Sequence, residues 1–309
     1  MNIEREDIHI VVRHSNLTEE RIAHALQEKV YNDQTAWYKF LRLLFISLGV
    51  GFSVAGIVFF FAYNWGNLNK FTKIGLMESL LIVTTILVLL PKMNSTIRNV
   101  ILSGASFLVG VLFAVFGQIY QTGANAYDFF LAWTIFVTLW VLVSDFAPLW
   151  LLYLVLINIT IILYSEQVAY WSAIFVYTVL FVINAIVAIS PVFFPAKKIP
   201  SWFVNIVTLG AITCATIGIS HIIFDKFRPT SLVLILLTAL TYALGIWHGL
   251  KTKSGFYLSV VLFSLIIISS VFLVEKLGKY DETLFGVLSL FIITSVTFTI
   301  KFIISTQKK

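Results

Sequence analysis

Of the 309 residues, 59% are hydrophobic and 12% charged, with 28 Phe and 8 Trp, and the mean hydropathy is +0.95. A water-exposed domain carries roughly 25% charged residues, so half that fraction excludes a soluble globule and points to lipid as the solvent. The net charge of +6 comes from basic residues scattered between apolar segments, which excludes the basic stripe of a nucleic-acid binder. A single cysteine, Cys214, excludes an intrachain disulfide and a multi-cysteine metal site.

In chain order, residues 1–40 come first. The opening MNIEREDI is acidic and polar, unlike a signal peptide, which begins basic and soon turns apolar. Ile22, Leu26 and Val30 recur every four residues among polar neighbours, the period of an amphipathic helix. Asn16 followed by Glu19 resembles an N-cap signal. These features predict short cytosolic helices over 1–40. Their plain reading is a packing or membrane-surface element; the other is a docking site for a protein partner.

A bilayer core of about 30 Å takes about 20 apolar residues per helix. Such runs fall at 41–63, 71–90, 99–117, 128–144, 147–164, 170–190, 201–223, 231–250, 255–274 and 283–304. The expected fold class is therefore all-α: a transmembrane bundle of about ten spans over 41–304, with a cytosolic tail at 305–309. The breaks carry turn and polar residues, among them NWGNLNK, GQIYQTGANAYD and YSEQVAY. Spans four and five are divided only by SDFAP, and fusing them would change the parity. Placing both termini in the cytoplasm leaves six of the 21 Lys and Arg outside, namely Lys70, Lys73, Lys226, Arg228, Lys276 and Lys279. That bias follows the positive-inside rule, and the reversed orientation would put fifteen outside.

Two segments carry a resemblance. GVGFSVAGIVFFFAYNWGNLNKFTK (49–73) and GQIYQTGANAYDFFLAW (117–133) are similar to signature stretches of a bacterial membrane family, the domain of unknown function 2157 (DUF2157) proteins. Asn64 and Trp65 match the first motif; Gly117, Gln118, Tyr120, Gln121 and Gly123 match the second. Asp128 and Trp133 fall where the family commonly has an acid and a tryptophan. The resemblance covers roughly residues 15–165. It implies a helical membrane fold and a bacterial inner-membrane address, and no activity.

With this threading, Asn64, Trp65, Gln118, Tyr120, Gln121, Asn125, Asp128 and Glu166 lie on the outer side. Backbone that is irregular and exposed to lipid leaves N–H and C=O groups unpaired, so the 117–128 segment belongs in water, in protein or along a cavity. Ser106, Gly110, Ala114 and Gln118 share one helix face, where small residues admit a close neighbour. An outward polar pocket for a small ligand is one reading, with Asn64, Trp65, Gln118, Tyr120, Gln121, Asp128 and Trp133 as its candidate residues. The other is that these side chains only finish helix ends, Asp128 as an N-cap.

Glu78 lies five to seven residues into the second span. A charged side chain deep in a span costs about 2.5–3.5 kcal/mol on insertion scales; Lys73, five residues back, points elsewhere. Glu78 is thus protonated, hydrated or paired across helices, and is a candidate proton carrier. Asn158, Asn184 and Asn205 read as inter-helix glue. His9, His14 and His24 lack ligand-type spacing, and His221 and His248 end spans on opposite sides, so no metal site and no cofactor is expected.

No His-Glu-x-x-His, Gly-x-Ser-x-Gly or phosphate-binding glycine loop is present. Catalysis is the weakest class, resting on convergence of Asp128 with Glu166. The favoured reading is a transporter or binding protein for a small solute or lipid intermediate. The alternative is a non-transporting structural, sensory or assembly protein acting through residues 1–40.

Overall fold

The structure is a computed structural model that describes residues 20–21, 34–64, 66–90, 93–120, 123, 125–193, 199–225, 227, 229–278 and 281–308. Among these, ten helices are long and apolar enough to cross a membrane. They are α1 (Gln34–Asn64), α2 (Lys70–Leu89), α3 (Ser95–Tyr120), α4 (Ala126–Val143), α5 (Ala147–Tyr164), α6 (Ala173–Phe193), α7 (Ser201–Phe224), α8 (Pro229–Thr252), α9 (Gly255–Leu277) and α10 (Asp281–Lys308). The expected ten-span bundle is borne out. The amphipathic residues Ile22, Leu26 and Val30, and the Asn16–Glu19 signal, lie outside the described residues.

Local chemistry sets the ends. Asn69 caps α2, its side chain accepting from the Thr72 N–H at 2.8 Å, which satisfies a donor that has no partner within the helix. Spans four and five are separate. Ser144 to Phe146 breaks the chain, Pro148 stands in the first turn of α5, and the Trp150 indole N–H donates to the Ser144 carbonyl at 3.1 Å across the corner. Missing its own N–H, proline is tolerated in a first turn.

Two boundaries differ from the sequence reading. Gly117 to Tyr120 are helical and prolong α3, since an isolated glycine costs only about 1 kcal/mol inside a helix and GQIY holds no proline; the chain turns later, where Gly123 sits at φ +62°. After α5, Ser165–Ala169 forms a π-helical turn that ends on Tyr170 in the left-handed region at φ 49°.

By its contacts the chain forms two compact units, residues 1–119 and 120–309. In the first, Phe61 of α1, Met77 of α2, and Leu108 and Val115 of α3 make the core. There α3 approaches α1 closely: a Cβ on Gly104 would lie 2.5 Å from Val50 Cγ1. The small-residue face of α3 is buried at Ser106 and Gly110, and reaches the surface at Ala114 and Gln118.

In the second unit α6 and α7 form the central pair. Ile174 and Phe181 of α6 pack with Ala211, Ile212 and Ala215 of α7, Leu234 and Tyr242 of α8, and Val261 of α9. Gly218 lets α7 meet α6 and α8, since a Cβ there would lie 3.1 Å from Tyr177 Cβ and 2.6 Å from Leu234 Cδ2. A further cluster joins Leu154 of α5 to Phe203 and Val207 of α7.

Candidate functional site

In the first unit the Asn64 side-chain amide donates to the Phe60 carbonyl at 3.0 Å, and the Asn64 backbone carbonyl accepts from the Asn67 and Leu68 N–H groups. It closes the end of α1. Trp65 lies outside the described residues, and Gln118 is exposed on the last turns of α3. On α2, Met77 is fully buried, Lys73 is buried, and Glu78 is exposed. Lys73 and Glu78 thus occupy different faces, as read from their spacing.

In the second unit Tyr120 is half exposed, and Gln121 lies outside the described residues. Asp128 stands at the third position of α4, not at its N-cap. Asn125 is the cap, and its N–H donates to the Asp128 carboxylate at 3.1 Å. The two form a capping box, in which each residue satisfies a donor near the other. Trp133 packs edge-to-face on Phe129 (5.8 Å between centroids) and stacks on Phe130 (6.0 Å), both on its own helix.

The same end of α4 meets the π turn. The Gln167 side-chain carbonyl accepts from the Tyr127 N–H at 3.0 Å. This bond joins the segment carrying Asp128 to the one carrying Glu166, which is exposed. Around it runs a ladder of edge-to-face rings: Tyr127–Tyr164 at 5.4 Å, Tyr164–Trp171 at 5.5 Å and Trp171–Phe175 at 5.0 Å. Tyr170 is 80% exposed and Trp171 40%, so ring surface at this end remains open. π-turns recur at functional sites, and a non-glycine residue in the left-handed region stores about 1–3 kcal/mol of strain. Carboxylates, an amide and aromatic faces are thereby gathered within two neighbouring segments.

Sequence reasoning missed Gln167, the ladder and the π turn, because nothing in YSEQVAY sets a π turn apart from an ordinary loop. It also missed a buried hydroxyl cluster. Thr216 of α7 bonds Ser264 of α9 at 2.6 Å and Tyr242 of α8 at 3.4 Å, and Tyr242 bonds Ser264. The Thr216 hydroxyl also donates to the Ile212 carbonyl at 2.7 Å. Between α5 and α6, the Asn184 amide donates to Asn158 Oδ1 at 2.7 Å. Thr138 and Tyr153 join α4 to α5 at 3.0 Å. These bonds tie spans together where water is excluded.

Two clefts, of about 370 and 470 Å³, flank the C-terminal half of α9. Their linings are apolar, with Phe263, Ile266 and Ile292 in one and Ile219, Ile268 and Phe272 in the other. None of the residues singled out from the sequence lines either. Among the described residues no group of three or more His, Cys, Asp or Glu is placed to hold a metal ion.

Among the described residues, ten helices long and apolar enough to cross a membrane, several in the second unit tied by hydrogen-bonded polar side chains, define a multi-pass helical membrane protein. Residues 15–150 match the model of the family described as predicted membrane protein (DUF2157). The family read from the Asn-Trp and Gly-Gln-x-Tyr-Gln-x-Gly motifs is borne out. No curated protein matches the chain, and no solved structure does.

Proposed function

We propose that the protein is a binding or transport protein for a small polar solute or a lipid intermediate, engaged where the α4 N-terminus meets the π turn. The Tyr127–Gln167 bond carries the reading, because it fixes an amide, two carboxylate-bearing segments and an aromatic ladder at one end of the helices. That end faces outward, with both termini cytoplasmic in a bacterial inner membrane. Support comes from the basic residues, fifteen of which fall on the inner side against six on the outer. Asp128 holds the α4 cap against the ligand, while Trp133 braces Phe129 and Phe130 behind it. Glu78, in the other unit, is the proton carrier of the cycle.

The test uses the full chain in phosphatidylglycerol nanodiscs, with amino acids, sugars and amines as probes. A ligand that binds only the folded state raises apparent stability by about 2.7 kcal/mol at one hundred times its Kd. The proposal expects a saturable rise for one class of probe, removed by Gln167→Ala. Absence of a saturable rise for every class, or a rise indifferent to Gln167→Ala and Trp171→Ala alike, overturns it.

A further inference from the structure

From Ile101 to Ala196 the chain contains no lysine or arginine, and this stretch holds all of α4, α5, the π turn and α6. Its three acids divide between the two ends. Asp145 lies in the α4–α5 corner, while Asp128 and Glu166 lie at the end where Tyr127 meets Gln167. Glu166 is exposed, and no ion pair involves it among the described residues. Four and five residues further along the chain come Tyr170 and Trp171 with open ring surface, the latter held edge-on between Tyr164 and Phe175. A ring face attracts a cation through its quadrupole, most strongly for Trp, and such rings beside an acid are the chemistry that recognises alkylated ammonium groups. An anion would meet two carboxylates here and no basic residue of α4–α6.

We propose that this end takes an organic ammonium group, with the charge held by Glu166 over the exposed rings of Tyr170 and Trp171. This rests on the site proposed above and names the charge of its ligand. The group belongs either to a free amine or to a lipid head group.

Saturation-transfer NMR of tetramethylammonium tests it, on the full chain in phosphatidylglycerol nanodiscs at constant ionic strength. Saturable transfer is expected, with the apparent Kd raised about tenfold by Glu166→Gln and by Trp171→Ala and largely kept by Trp171→Phe. Asp145→Asn, at the other end of α4, leaves it unchanged. Nanodiscs doped with phosphatidylethanolamine separate the sources: competition marks a head group, undiminished binding a free amine, and both support the ammonium class. Saturable transfer from acetate or glucose instead, lost in Trp171→Ala, overturns the class and leaves the site standing. No saturable transfer from any probe overturns both.

Discussion

The bond between Asn158 and Asn184 provides the sharpest energetic test of how the spans are held. Asn184 is 5% exposed and donates both to Asn158 Oδ1 at 2.7 Å and to the Leu180 carbonyl of its own helix at 2.8 Å. Asn158 in turn donates to the Leu154 carbonyl at 2.6 Å. Replacing either residue by Ala therefore leaves its partner's N–H with a carbonyl on the partner's own helix. The full cost of a bare amide in hydrocarbon is avoided. What is lost is a reciprocal pair of inter-helix hydrogen bonds, a short one at 2.7 Å and a long one at 3.5 Å; such bonds are worth about 0.6 kcal/mol on average and about 1.7 at most in bacteriorhodopsin double-mutant cycles. The cycle Asn158→Ala, Asn184→Ala and both together, read by reversible unfolding in mixed micelles, should give a coupling energy of about 1 kcal/mol. Cavity terms from the single changes cancel in the cycle. A coupling below about 0.3 kcal/mol, the ordinary scatter of independent sites, refutes the bond as a link between α5 and α6.

Thr216→Val removes the hydroxyl that meets Ser264 and Tyr242 at little change in shape, so unfolding in the same assay should lose about 1 kcal/mol; an unchanged value contradicts the cluster. Gly218→Val places carbon against Leu234 and Tyr177 and should cost about 1–3 kcal/mol, the range of overpacked cores. Glu78→Gln keeps the side chain's shape at a position of α2 that no neighbouring helix covers and removes a carboxyl from a span, so stability should not fall. The same variant should abolish pH-gradient-driven uptake of tetramethylammonium into proteoliposomes while leaving its binding intact. Uptake equal to that of the native chain removes the proton-carrier role.

How much was legible varies with scale. Lipid forces each run of about 20 apolar residues to satisfy its own backbone as a helix, so the spans could be read from hydropathy alone. Even the SDFAP corner was visible through Pro148. Neighbours were not. Helices apolar on every side show no stripe that marks the buried face, so nothing singled out Thr216, Tyr242 and Ser264 from the other hydroxyl residues in the spans. Asn158 and Asn184 were legible as glue because an amide in hydrocarbon needs a partner; which partner was not. The third span was read as ending at Gly117, because glycine is the commonest residue just past a helix end, yet the helix runs on through Tyr120. Asp128 was read correctly as a cap element but one role away, the N-cap being Asn125.

The threading that puts Asp128 and Glu166 outside rests on charge bias, and one labelling experiment addresses it. In a Cys214→Ser background, which removes the single native cysteine, Glu166→Cys in the exposed π turn is treated with a membrane-impermeant maleimide. Modification of right-side-out spheroplasts without permeabilisation is the expected result. Modification only after the membrane is opened would place this end in the cytosol and contradict the orientation on which the proposed site depends.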